Sequence, residues 1–207
     1  RTASYMAHHY RVPPEAVRVV PNGVDAARFR PGGDDGGLRG RLAADGRSPV
    51  VAFVAHQYRL KGFECLLRAA ARSRTPWLIA AAGRAKPAEW EPLAKSLGVA
   101  QRIRWLGALA EPEKLYAAAD ALVHPTFYDP CSLVALEALA CGLPVVTTTA
   151  NGVAELMGNG LEGCILDDPW DADGLARAVD AVVSPGIREV QSGHARALAE
   201  AHTWDRH

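Results

Sequence analysis

The chain lacks the means to hold a large anion by overall charge. Lys plus Arg and Asp plus Glu both number 23, so no net basic field exists to release counterions from a nucleic acid, and no polybasic run faces a membrane surface. Any anion must be caught locally. Cysteine is scarce, and Cys65, Cys131, Cys141 and Cys164 never fall into a C-x-x-C spacing, which predicts buried free thiols in a reducing compartment. No apolar run approaches the ~20 residues of a membrane span. No glycosylation sequon, signal peptide, metal-spaced histidine pair, H-E-x-x-H, P-loop or G-x-S-x-G occurs. The opening at Arg1, without an initiator Met, suggests a piece of something longer.

What is present is an alternating rhythm. Residues 1–30 read as a lead-in with a short strand at Val17–Val20 and a turn at Pro21-Asn22-Gly23-Val24-Asp25, and Pro31–Gly37 reads as a linker. This divides the chain into a lead-in of residues 1–37 and a domain of residues 38–207. From residue 49, short β-rich runs alternate with helical ones. The strands are predicted at 49–55, 77–82, 102–106, 120–124, 144–148 and 163–166, and the helices at 61–73, 87–97, 112–119, 131–141, 152–157, 171–183 and 186–201. Several strands are apolar on both faces, as in a parallel sheet covered on each side by helices. The fold class is therefore α/β: a Rossmann-like, doubly wound parallel sheet of about six strands, with ligands expected outside the carboxyl ends of the strands.

A literal G-x-G-x-x-G at Gly158, Gly160 and Gly163 follows a helix and feeds the last strand. A dinucleotide fingerprint must follow a strand and open a helix, so this one reads as a helix-ending loop. The segment Tyr128-Asp129-Pro130-Cys131-Ser132-Leu133 opens an almost wholly apolar helix, with Asp129 as the expected N-cap and Pro130 in the first position. The amide groups of Cys131, Ser132 and Leu133 at that helix start could hold a phosphate or sugar oxygen. Glu137 is the one charge in the helix, and its neighbours a turn away are Leu133 and Cys141. A carboxylate buried there needs a polar partner: ribose hydroxyls, a basic residue from elsewhere, or simple exposure at the helix edge. Lys61, predicted in a first helical turn, conflicts with the helix dipole unless an anion such as a diphosphate joins it; a solvated lysine is the alternative. His56 and His124 end strands and read as supporting residues.

Pro21–Asp25, Lys61-Gly62, Arg102–Gly107 and the run from His124 to Glu155 together resemble retaining glycosyltransferases of family 4, which have the GT-B fold. Its most specific element is an acidic residue, seven residues, then Glu: here Asp129 and Glu137, followed by Gly142, Pro144-Val145-Val146, Asn151-Gly152 and Glu155. Within the family, His124-Pro125, Tyr128-Asp129 and Gly142–Thr148 look most like bacterial lipopolysaccharide-core hexosyltransferases. The resemblance implies the carboxy-terminal, donor-binding half of an enzyme that moves a hexosyl group from a nucleoside diphosphate sugar, with a UDP-sugar the first choice, to a glycan or lipid-linked acceptor with retention. It places Asp129 near the hexose, Lys61 on the diphosphate with His56, Arg59 or Arg84 as a second cation, Glu137 on the ribose, and Gly83, Ile103, Cys131, Ser132 and Leu133 around the donor. It implies no metal or other cofactor, an amino-terminal acceptor domain outside this chain, and a cytoplasmic location with a peripheral position at the inner membrane through that domain. Asp129 stands where Glu is usual and His56 where Arg is usual. Those departures keep open a non-catalytic Rossmann-like module, and the shared architecture keeps open a sugar-nucleotide 2-epimerase. A two-carboxylate hydrolase is disfavoured because Glu137 lies two turns inside its helix from Asp129.

Overall fold

Runs rich in β-branched and small apolar residues form six parallel strands, and the amphipathic segments between them form the crossovers. The computed structural model describes residues 2–43 and 45–206. The elements are α1 (Thr2–Tyr10), α2 (Leu38–Leu42), β1 (Val50–Val54), α3 (Phe63–Arg72), β2 (Leu78–Ala82), α4 (Pro87–Ser96), β3 (Ile103–Gly107), α5 (Pro112–Ala118), β4 (Ala121–His124), α6 (Leu133–Ala140), β5 (Val145–Thr148), β6 (Gly163–Leu166), α7 (Ala172–Val182) and α8 (Pro185–Ala201). The strand order is β3-β2-β1-β4-β5-β6. This is the doubly wound arrangement expected from the sequence. The winding reverses between β1 and β4, the switch point outside whose carboxyl ends such sheets bind ligands.

The sheet is apolar on both faces because both are covered. One face packs α3, α4 and α7 through Phe63, Leu66, Trp90, Leu175 and Val179; the other packs α2, α5, α6 and α8 through Leu42, Tyr116, Leu136, Leu139 and Ala195. Asp120, buried beneath the amino end of β4, accepts from the Val50 amide at 2.7 Å and pairs with Arg39 and Arg188, tying α2 and α8 to the central strands. Val24 and Phe29, from the lead-in, join the second core, and Val24 bridges to Thr203 beyond α8.

Three local expectations change. Val17–Val20 forms no strand: Val19 and Val20 are 58% and 63% exposed, since a β-branched run pairs only where a ladder edge meets it. The helix expected at 152–157 is a single 3₁₀ turn, Gly152–Glu155. The helix expected from residue 131 starts at Leu133, and its N-cap is Ser132, whose Oγ accepts from the Ala135 amide at 3.3 Å. Asp129 is thus no cap. The loop Gly158–Gly163 does end one turn and start β6; a Cβ on Gly163 would stand 2.0 Å from the Val145 carbonyl oxygen, so this glycine serves strand packing.

Candidate functional site

At the winding reversal two loops fit together only because one position is glycine. Gly62 adopts φ +78°, and a Cβ there would lie 2.0 Å from the Pro125 carbonyl oxygen. The loop after β1 therefore lies against the loop after β4, with Phe127 donating its amide to the Leu60 carbonyl at 2.9 Å. That contact brings Lys61 to Asp129. The Lys61 ammonium donates to Asp129 Oδ2 at 2.8 Å and to the Tyr128 carbonyl at 3.0 Å, with both charged side chains more than four-fifths buried. Lys61 stands just ahead of α3, whose cap is Gly62, rather than inside its first turn. The anion that offsets its charge is the protein's own carboxylate.

The β4 loop is held from beneath by a polar cluster. His124, Thr147 and Asn151 are buried; Asn151 Nδ2 donates to Thr147 Oγ1 at 3.0 Å, and its Oδ1 accepts from the amides of Ser132 and Val153 at 3.3 and 3.2 Å. The His124 ring lies 3.5 Å from both Ser132 Oγ and Asn151 Nδ2. Burial, and then the Lys61 charge, hold its pKa below the ordinary imidazole range, at about 4, so the ring is neutral. The Asp129 amide and carbonyl pair with Ala150 and Gly152 at 3.1 and 2.8 Å, which fixes its backbone in a short bridge to Asn151. From the far side, Asn22 of the lead-in donates its side-chain amide to the Cys131 carbonyl at 2.7 Å and its backbone amide to Cys131 Sγ at 3.4 Å.

Two cavities open beside these loops. One, of about 370 Å³, is lined by His56, Arg59, Arg84, Glu89 and Trp90, with the Arg59 guanidinium 5.5 Å from the Trp90 ring centre. The other, of about 550 Å³, lies between Val17–Asn22 of the lead-in and the loops after β4 and β5, and includes Asp129, Cys131 and Glu155. Gly83, just before Arg84, has φ +137° and lies so near Ala55 that a Cβ would overlap the Ala55 carbonyl oxygen. Leu133 is exposed at the start of α6.

Glu137 lines neither of these cavities. It is half-buried between α5 and α6, where its Oε2 accepts from the Tyr116 hydroxyl at 2.9 Å. Nearby, Arg28 of the lead-in pairs with Glu113 at 2.8 Å and reaches the Ala110 carbonyl at 3.5 Å, just before α5. Burial raises the pKa of Glu137, opposed by the Tyr116 hydrogen bond and the Arg28 charge. The partner required by its isolation in the helix is thus a neutral phenol, not a cation.

Ile103 does not join the group. It starts β3, packed in the core and paired with Ile79, so the Gly107 end that faces the other loops is about 13 Å farther along the strand. Arg102 before it is structural, donating to the Trp77, Ala70 and Thr75 carbonyls. The residues that sequence reasoning passed over are Tyr116, Arg28 and the clasping role of Asn22. The last had a signal in the Pro21–Asp25 motif, but the other two had none in local spacing.

The four cysteines are free thiols, with burial raising Cys65 and Cys141 to about 12. Among the described residues no helix is long and apolar enough to cross a membrane.

Comparison with known proteins agrees with this architecture. The D-inositol 3-phosphate glycosyltransferase of Actinosynnema mirum is 37% identical over 95% of this chain, which covers 51% of that protein; the chain spans about half the length of the curated relatives it matches. The crystal structure of Anabaena HepE in complex with UDP and glucose superposes with a TM-score of 0.82 at 26% identity, covering 92% of this chain and 54% of that one. The carboxy-terminal domain of the Francisella tularensis group 1 glycosyl transferase LpcC, solved by itself, shares the fold over 86% of this chain and 97% of its own, with a TM-score of 0.72 at 23% identity. The model of the family described as glycosyl transferases group 1 matches residues 48–184, and the chain belongs to that family.

Proposed function

We propose that this domain holds the nucleoside diphosphate sugar of a retaining hexosyltransferase. The observation that carries the reading is the meeting of Lys61 and Asp129 at the winding reversal, an ammonium and a carboxylate presented by the two loops that pack together there. In the transfer, the bond from the sugar's anomeric carbon to the diphosphate breaks, a bond to an acceptor hydroxyl's oxygen forms on the same face, and that hydroxyl's proton passes to the departing diphosphate. Charge gathers on the departing diphosphate. Lys61, a second cation from His56, Arg59 or Arg84, and the amide groups that open α6 are the groups able to neutralise it. Asp129 then faces the hexose, and Glu137 takes the ribose hydroxyls.

UDP is the first choice of nucleotide, supported by the UDP and glucose complex of the Anabaena relative. The acceptor belongs to an amino-terminal domain beyond this chain. A glycan or lipid-linked acceptor follows from the motif likeness to lipopolysaccharide-core enzymes, with the enzyme at the cytoplasmic face of the inner membrane. The curated relatives' name favours a second reading, in which the acceptor is an inositol phosphate. By itself this chain should bind nucleotide weakly and transfer nothing.

Calorimetric titration with UDP-, ADP- and GDP-sugars tests the donor site. Heat with one nucleotide, lost in Lys61→Ala, supports it; no heat with any of them in a folded sample overturns it.

A further inference from the structure

We propose that Tyr116 is a positioning residue for nucleotide binding: its hydroxyl fixes the Glu137 carboxylate in the orientation that accepts the ribose hydroxyls. The inference rests on the reading of Glu137 as the ribose acceptor, and it assigns work to a residue outside every motif in the chain.

The Tyr116 side chain is 2% exposed, in the core beneath α6, with its ring 6.1 Å from that of Phe29. A phenylalanine would fill the same apolar volume. What the tyrosine adds is one hydroxyl, delivered from the core to Glu137 Oε2 at 2.9 Å. A glutamate has three rotatable side-chain bonds, and ordering them when a ligand arrives costs affinity. Here they are ordered beforehand. One carboxylate oxygen is anchored from below and the other, Oε1, is left for a ligand donor, while Oε2 keeps a lone pair for a second. The neighbouring charges do not supply that anchor. Arg28 is engaged with Glu113 and the Ala110 carbonyl and acts on Glu137 through its charge alone, with no hydrogen bond to fix the carboxylate's orientation. The phenol is therefore the directional partner, and because it is neutral it leaves the carboxylate its charge for ribose donors.

The test compares UDP with 2′,3′-dideoxy-UDP by calorimetry on the chain and on Tyr116→Phe, Glu137→Gln and Glu137→Asp. In the unaltered chain UDP is expected to bind on the order of tenfold more tightly than the dideoxy analogue, the worth of hydrogen bonds to a charged group. Tyr116→Phe should cut that preference severalfold by weakening UDP while leaving the dideoxy analogue unchanged. A merely structural tyrosine would weaken both equally, and that result overturns the proposal. So does a preference that survives Tyr116→Phe but collapses in Glu137→Gln. A preference unmoved by Glu137→Gln, or no binding of UDP to the unaltered chain, overturns the ribose reading itself and the proposal with it. Should Tyr116→Phe melt below the assay temperature, Glu137→Asp decides. Its carboxylate is one methylene shorter and cannot serve phenol and ribose together, so the preference should fall, and an unchanged preference counts against the proposal.

Discussion

Asp129 and Glu137 stand eight residues apart in one segment, yet they live in opposite electrostatic settings. Asp129 touches an ammonium at 2.8 Å, and its backbone is clamped by Ala150 and Gly152. Glu137 touches a neutral phenol, and burial works against its charge. The first carboxylate ties the loops after β1 and β4 together, whereas the second, among the described residues, meets only the phenol. A family motif names both as acidic positions without distinguishing the two, and their surroundings are what set them apart.

The largest effect should come from prying apart the loops that make the first setting. Gly62→Ala forces a side chain onto φ +78° and into the Pro125 carbonyl. A loss of about 3 kcal/mol in urea unfolding is expected, together with loss of nucleotide binding. Next is Lys61→Ala, which should weaken nucleoside diphosphate binding by tenfold or more while affecting uridine little, since only the diphosphate needs the ammonium.

The comparison itself is sharpened by paired neutralisations. Asp129→Asn should destabilise the fold by about 2 kcal/mol, because it strands a mostly buried ammonium, and should strengthen UDP binding by freeing Lys61. Glu137→Gln should do the reverse: weaker UDP binding, with unfolding at pH 7 unchanged or shifted by about 0.5 kcal/mol toward stability. The sign follows from linkage. A carboxyl whose folded pKa is raised contributes stability while protonated and loses it as pH rises through the raised value, so ionised Glu137 is a cost that the amide removes.

The smallest effect concerns pH. His124 is neutral in the fold and its pKa is lowered from the usual 6.5 to about 4, so its contribution is present above 6.5 and is lost as pH falls toward 4. Urea midpoints at pH 7.5 and 5.5 should show this decline in the unaltered chain and a weaker one in His124→Gln.

Much of the architecture was legible in the sequence. Each of the six strands lies within a residue or two of its predicted run, because buried parallel strands are nearly continuous apolar segments bounded by turn residues. The helix caps were less so: Asp129 and Ser132 are both good capping residues, and the bridge from Asp129 to Asn151, rather than local preference, decides for Ser132. Val17–Val20 reads as a strand from composition, but no ladder edge meets it here. The site was half legible. Lys61 and Asp129 lie in motifs, but their ion pair spans 68 positions in the chain. Burial correctly demanded a polar partner for Glu137, yet Tyr116, on a different helix, carries no local signal that it is the one. Ile103 was misplaced because a motif fixes a strand without saying which of its ends faces the ligand.

The most direct test of the donor site is a crystal structure of the chain soaked with UDP. The account predicts the diphosphate within hydrogen-bonding distance of Lys61 Nζ and the ribose hydroxyls on Glu137. A nucleotide bound elsewhere, or one that leaves both residues untouched, would contradict it.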